Sequence, residues 1–173
     1  MTPPTTFRFI PSKDVCGVYR DTDAERFHVR KNPRIAQYDY STPNYYFATI
    51  CTRDKRCLFG KPGQYNACGE IARQGIEEID THFPSVRVDK YVVMPNHVHA
   101  ILELRNHDVD LSVVIGQYKS YVTRKVRKIL PETLVWQTSY HDHVIRDQTG
   151  YEKIWQYIEG NPQNWERDCF FMK

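Results

Sequence analysis

Residues 92–104 of this 173-residue chain read Val-Val-Met-Pro-Asn-His-Val-His-Ala-Ile-Leu-Glu-Leu. After Asn96, every second residue is apolar, which is the period of a β-strand with one buried face. The same period places His97 and His99 together on the other face. The buried face of this predicted strand consists of Val98, Ala100, Leu102 and Leu104.

Two imidazoles that leave one rigid strand on the same side can reach a single divalent cation. An isolated His-x-His pair is more often two ordinary strand histidines that are hydrogen-bonded to neighbours. Here the even-numbered residues already supply the apolar face, so neither histidine is needed to build the core. The pattern therefore favours a metal site at His97 and His99.

Residues 94–102 resemble the His-hydrophobic-His (HUH) motif of the single-tyrosine transposases carried by the smallest bacterial insertion sequences. The resemblance is strongest to the branch associated with repetitive extragenic palindromes (REPs). It extends in order from about Tyr38 to Trp165. Two further blocks contribute to it: Tyr38-Asp-Tyr-Ser with Tyr46-Phe-Ala-Thr-Ile-Cys-Thr and Cys57-Leu-Phe-Gly, and Trp136-Gln with Tyr140-His-Asp-His-Val-Ile-Arg-Asp and Tyr157-Ile-Glu-Gly-Asn-Pro.

This resemblance implies an enzyme that cleaves and rejoins single-stranded or hairpin DNA through a 5′-phosphotyrosine. It implies that Tyr157 is the nucleophile and that the cation, Mg²⁺ or Mn²⁺, has a third ligand four residues later, at Asn161. Rejoining then needs no nucleotide cofactor. Because the REP-associated branch is the nearer one, we expect a monomer rather than a homodimer.

The residues themselves support a third ligand but leave its identity open. Two nitrogen ligands underfill a hard cation, so an additional oxygen ligand is expected. Asn161 shares a helical face with Tyr157. Ile154 and Ile158 fall on the same helical stripe, however, so packing in the core would by itself explain the position of Tyr157. Without the resemblance, a core position is the better interpretation of Tyr157.

A second His-x-His pair, His141 and His143, leaves a four-nitrogen site of the zinc type as a less favoured alternative. The block shared with the family instead suggests that His143 and Arg146 lie near the scissile phosphate.

The order of predicted elements indicates an α+β fold, an antiparallel sheet flanked by helices. The resemblance implies its ferredoxin-like version, with the histidine pair on a central strand and the last helix beside it. The predicted strands cover residues 44–52, 86–94, 97–104 and 140–145, and the predicted helices cover about 64–83, 111–130 and 150–161.

The helix predicted over residues 111–130 contains five basic residues and no acidic one. Neutralising phosphates releases counterions, so such a helix fits DNA binding. A solvated face is the alternative, but it would usually carry acids for ion pairs along the helix. The predicted DNA contacts here are Lys119, Arg124, Lys125, Arg127 and Lys128.

The length of the chain predicts one domain, residues 41–173, after an irregular N-terminal extension of residues 1–40. Apolar runs are only a few residues long, so we expect no membrane association. The N-terminus lacks a secretory signal, which predicts a cytoplasmic protein that is nucleoid-associated when bound to DNA. The net charge of only +3 does not by itself indicate nucleic-acid binding.

Three functions remain open from the sequence. The first is a metal-dependent single-strand nuclease and strand-transferase, and the second is a domesticated relative that binds single-stranded or hairpin DNA without cutting it. Intact His97, His99, Tyr157 and Asn161 favour the first. A nucleotide hydrolase with three histidines is disfavoured because Ile101 stands where the third would be required.

Overall fold

The structure is a computed structural model that describes residues 38–171. The extension predicted over residues 1–40 lies outside this range except for its last three residues. The six strands are β1 (Asn44–Cys51), β2 (Gly60–Lys61), β3 (Gln64–Tyr65), β4 (Val86–Met94), β5 (His97–Leu104) and β6 (His141–Ile145). The α-helices are α1 (Ala67–Glu77), α2 (Ile79–His82), α3 (Leu111–Val126) and α4 (Gln148–Gly160).

The main sheet has four strands in the order β4-β5-β1-β6, and all of its neighbours are antiparallel. Helices connect β1 to β4 and β5 to β6, while β4 and β5 are joined by the two-residue turn Pro95-Asn96. This arrangement confirms the predicted ferredoxin-like α+β fold. The histidine-bearing strand is central, as expected.

The two faces of the sheet carry different layers. On one face, Ala48, Val98 and Ala100 pack in a large core that includes the buried sides of α1 and α3. On the other face, Phe47 and Ile101 pack against apolar residues of α4. Along β5, His97 and His99 alternate with Val98 and Ala100 of the large core, so the two histidines lie on the α4 face.

The helix predicted over about residues 64–83 is present, but it is shorter and is divided into α1 and α2. A small hairpin of β2 and β3 precedes it, and Gly60 adopts φ +99°, where an added Cβ would meet the Gln64 carbonyl oxygen at 2.6 Å. The helix begins only after Asn66, whose side chain accepts a hydrogen bond from the Gly69 amide. It ends at Glu77, and α2 follows directly after Glu78.

Helix α3 ends at Val126, four residues before the predicted end. Within residues 38–171, no helix combines the length and the apolar character needed to cross a membrane.

Candidate active site

The four residues singled out as nucleophile and metal ligands lie together on the α4 face of the sheet. The ring centroids of His97 and His99 are 4.4 Å apart. The Tyr157 hydroxyl lies 3.2 Å from Nε2 of His99. Asn161 caps the C-terminus of α4, one turn after Tyr157, and is 2% exposed. Strand β5 and helix α4 therefore bring the predicted set to one place.

The tautomer of His97 follows from the hydrogen bonds of Asn96. The Asn96 Nδ2 group donates to the carbonyl oxygens of Lys55, at 3.0 Å, and Phe170, at 2.8 Å. Those two acceptors fix the orientation of the amide, so its Oδ1 faces Nδ1 of His97 at 2.8 Å. Because a carbonyl oxygen only accepts, Nδ1 carries the proton and Nε2 keeps its lone pair.

His99 is positioned from the neighbouring strand. Its Nδ1 lies 2.8 Å from the hydroxyl of Thr49, the residue directly opposite it on β1. Phe47 stacks on its ring with centroids 5.2 Å apart. Nε2 of His99 therefore points away from the sheet, toward Tyr157.

A carboxylate that sequence reasoning missed, Asp168, completes the cluster. Its Oδ2 accepts a hydrogen bond from Asn161 Nδ2 at 2.6 Å and lies 3.3 Å from the Tyr157 hydroxyl. Its Oδ1 accepts from the Phe170 backbone amide at 2.7 Å. Asp168 follows a 3-10 turn, Pro162–Arg167, and no strand or helix periodicity points to it.

The segment that carries Asp168 also covers the imidazoles. The Phe170 ring lies 4.6 Å from the His97 ring and 6.0 Å from the His99 ring, between centroids. Trp165 lies 6.0 Å from His97 on the same basis. Both histidines are fully buried as a result.

This burial disfavours protonation of the rings. It lowers the pKa of His97 to about 3, an effect that the positive charge of Lys55 reinforces. Burial also lowers the pKa of His99 well below its ordinary value. Both rings therefore stay neutral, as metal ligation requires, at acidities where an exposed histidine would be charged.

Tyr157 is a protonated phenol in this environment. Burial, followed by the charge of Asp168 and its hydrogen bond, raises the pKa of Tyr157. A phenolate at this position therefore requires a compensating positive charge.

The residues present fit a divalent cation. Nε2 of His97 and Oδ1 of Asn161 are buried without a hydrogen-bond partner, which is costly unless a ligand satisfies them. One ligand atom from each of His97, His99 and Asp168 lies within 4.8 Å of the others. Two imidazole nitrogens with carboxylate and amide oxygens suit Mn²⁺ or Mg²⁺.

The second histidine pair does not join this cluster. Within residues 38–171, His97, His99 and Asp168 form the group with metal-ligand spacing, and neither His141 nor His143 belongs to it. The zinc-type alternative with four nitrogens therefore lacks support. His143 lies on β6 opposite Phe47, and both His143 and Arg146 are exposed.

The basic residues of α3 lie on the opposite face of the sheet. Lys119, Arg124 and Arg127 line a groove of about 590 Å³ together with the segment Leu134–Gln137. Lys119 donates to the carbonyl oxygens of Gln137, at 2.7 Å, and Thr138, at 3.1 Å. Lys125 and Lys128 are exposed outside the groove.

The groove and the histidines meet at the same end of β1. The Gln137 amide, at the groove, donates to the Cys51 carbonyl oxygen at 3.0 Å. Cys51 in turn pairs directly with His97 across the strands. The groove and the histidine cluster therefore border the same end of the sheet, on its opposite faces.

Comparison with known proteins relates this chain to transposases. The family model described as "Transposase IS200 like" matches residues 42–161. An uncharacterized protein of Haemophilus influenzae is 33% identical over 170 residues, covering 84% of this chain and 94% of its own. Another protein of that organism, described as a candidate REP-associated tyrosine transposase, is 25% identical and covers 72% of this chain and 73% of its own.

Two solved structures share the fold. One is a REP-associated tyrosine transposase bound to a REP hairpin, with a TM-score of 0.59 and 22% identity, over 79% of this chain and 77% of the other. The second, described as a candidate transposase of Deinococcus radiodurans, has a TM-score of 0.51 and 18% identity, over 73% of this chain and 95% of the other.

Proposed function

Because the chain belongs to the IS200-like transposase family, we propose that it cleaves and rejoins single-stranded or hairpin DNA through a covalent bond to Tyr157. The observation that carries this proposal is the 3.2 Å approach of the Tyr157 hydroxyl to Nε2 of His99, within the cluster that fits a cation. A nucleophile and a site for positive charge are the two requirements of phosphodiester cleavage.

The proposed step is an exchange of one phosphoester for another. The Tyr157 oxygen attacks the phosphorus, the bond from phosphorus to the 3′-oxygen breaks, and the phenolic proton ends on the released 3′-hydroxyl. The fragment on the 3′ side of the break is then held through its 5′-phosphate as a 5′-phosphotyrosine. Attack by a 3′-hydroxyl reverses the step, so rejoining needs no nucleotide cofactor.

His97, His99 and Asn161 would hold Mg²⁺ or Mn²⁺, which when bound offsets negative charge on the phosphate. Thr49 and Asn96 orient the two rings, and the burial of the rings keeps them neutral. Helix α4 sets the position of the tyrosine relative to these ligands because Tyr157 and Asn161 are one turn apart. His143 and Arg146 remain predicted phosphate contacts.

The DNA would lie against both faces of the sheet. The groove on α3, with Arg124, Arg127 and the nearby Lys125 and Lys128, would contact phosphates on one face. The strand would then pass the end of β1 to reach Tyr157. A relative of known structure is bound to a REP hairpin, and we infer a hairpin-forming single strand as substrate here.

We also infer that a monomer acts, because groove and cluster lie within one chain. Because the proposed substrate is DNA, we infer that the protein acts in the cytoplasm and associates with the nucleoid when bound to DNA.

One observation favours the alternative, a domesticated DNA-binding protein that does not cut. Phe170 and Asp168 close the cluster, and the two imidazoles are fully buried. A protein that had lost cleavage could keep such a cover.

The test uses the full-length protein and hairpin-forming single strands from the DNA that flanks its gene. With Mn²⁺, we expect cleavage of the single strand but not of the same sequence as a duplex, and no cleavage with EDTA. Binding without any cleavage would establish the alternative, and cleavage in EDTA would refute the metal-dependent mechanism.

A further inference from the structure

Asp168 lies outside the part of the chain that matches the family, residues 42–161. It nevertheless contacts two members of the cluster, Asn161 through Oδ2 at 2.6 Å and Tyr157 at 3.3 Å. It also offers a ligand atom within 4.8 Å of those of both histidines. The position of this carboxylate is not explained by the HUH motif.

We propose that the Asp168 carboxylate is itself a ligand of the cation, so that the DNA-free protein binds the metal with His97, His99 and Asp168. This inference rests on the proposed function, because it concerns the same cation. Asn161 then acts both through its own oxygen and as the hydrogen-bond donor that orients the carboxylate.

Charge is the first argument for this assignment. His97, His99 and Asn161 are neutral ligands, and all three are buried. A divalent charge in such surroundings is costly unless an anion compensates it. Hard cations also prefer carboxylate oxygens over imidazole nitrogens. Among residues 38–171, Asp168 is the carboxylate within metal-ligand spacing of both histidines.

Orientation is the second argument. The Phe170 amide donates to Oδ1 of Asp168, which leaves Oδ2 facing the cluster. The Phe170 carbonyl oxygen in turn accepts from Asn96, the residue that fixes the tautomer of His97. The Asn96 side chain therefore orients the His97 ring and also holds the segment that carries Asp168.

The decisive measurement is Mn²⁺ affinity without DNA, by titration calorimetry on the full-length chain. Asp168→Asn keeps the shape of the side chain and removes its charge, and Asp168→Ala removes the ligand. We expect both variants to bind Mn²⁺ about tenfold or more weakly, because charge and number of ligands set affinity. Glu166→Gln is the matched control, since it neutralises an exposed carboxylate two residues earlier and should leave affinity unchanged.

A second measurement needs no variant at the site. In the unaltered protein, Mn²⁺ should slow amide hydrogen exchange in residues 162–171, since a ligand from this segment ties it to the cation. His97→Ala should abolish that protection. Unchanged or faster exchange on adding Mn²⁺ would contradict the inference, even if the Asp168 variants fail to fold.

The outcomes separate this inference from the function on which it rests. If Asp168→Asn binds Mn²⁺ like the unaltered protein while His97→Ala does not, Asp168 is not a ligand and the metal centre stands. If the unaltered protein binds no Mn²⁺, both the ligand assignment and the metal-dependent mechanism fail.

Discussion

Oδ1 of Asn96 lies 2.8 Å from Nδ1 of His97, and two backbone carbonyl oxygens hold the Asn96 amide in that orientation. The contact decides which nitrogen of His97 faces the cluster. A ligand histidine whose other nitrogen is hydrogen-bonded binds metal more tightly, because its ring and tautomer are fixed.

Asn96→Ala is therefore expected to weaken Mn²⁺ binding about 10- to 100-fold, measured by titration calorimetry. The change also unpairs two carbonyl oxygens, at a cost of about 1–3 kcal/mol in the free energy of unfolding. Asn66→Ala is the control, because it removes the cap of α1 on the other face of the sheet and costs about 0.5–2 kcal/mol. Equal Mn²⁺ affinity in Asn96→Ala and Asn66→Ala would contradict the role of Asn96.

The buried histidines should make the metal-free protein sensitive to mild acid. Unfolding returns both rings to an ordinary pKa of 6.5, so the unfolded state binds protons that the folded state excludes. The free energy of unfolding is then highest above pH 6.5. It falls as the pH drops below 6.5, by up to about 1.4 kcal/mol per pH unit for each ring that stays neutral in the folded state.

Denaturant titrations in EDTA at several pH values measure this dependence. His97→Gln should remove about half of the slope, whereas His82→Gln, which replaces an exposed histidine of α2, should leave it unchanged. If His97→Gln shows the same slope as the unaltered protein, burial does not control the protonation of this ring.

The groove on α3 predicts a salt-dependent contribution to DNA affinity. Replacing Arg124 and Arg127 together by Gln should lower affinity for single strands. It should also reduce the slope of log affinity against log salt by about 0.7 for each phosphate that the variant no longer neutralises. Arg87 and Arg105, at the other end of the sheet, provide a matched double replacement that should change neither quantity. An unchanged slope for the groove variant would mean that this surface does not bind DNA.

The sequence predicted the parts of the fold that depend on local periodicity. The alternation after Asn96 places β5 and orients its two histidines, and the spacing from Tyr157 to Asn161 places both on one side of α4. The helix predicted over residues 64–83 began too early and missed the break at Glu78, because the short strand β3 and that break leave little periodic signal.

The site residues that the sequence did not predict depend on contacts between distant segments. Thr49 meets His99 because of the register between β1 and β5, which no local pattern specifies. Asp168 reaches the cluster from an irregular segment after α4. The orienting role of Asn96 depends on carbonyl oxygens 41 and 74 residues away in the chain.

The central claim is that Tyr157 is the residue that bonds to DNA, and mass spectrometry of the trapped protein–DNA adduct tests it most directly. With Mn²⁺ and a hairpin-forming single strand, the modified peptide should carry its 5′-phosphate on Tyr157. Tyr157→Phe should keep DNA and Mn²⁺ binding but give no adduct, while Tyr151→Phe, an equivalent change on α4 that removes the hydroxyl bonded to Asp89, should still give one. An adduct on any other tyrosine, or one that persists in Tyr157→Phe, would contradict the assignment of Tyr157 as the nucleophile.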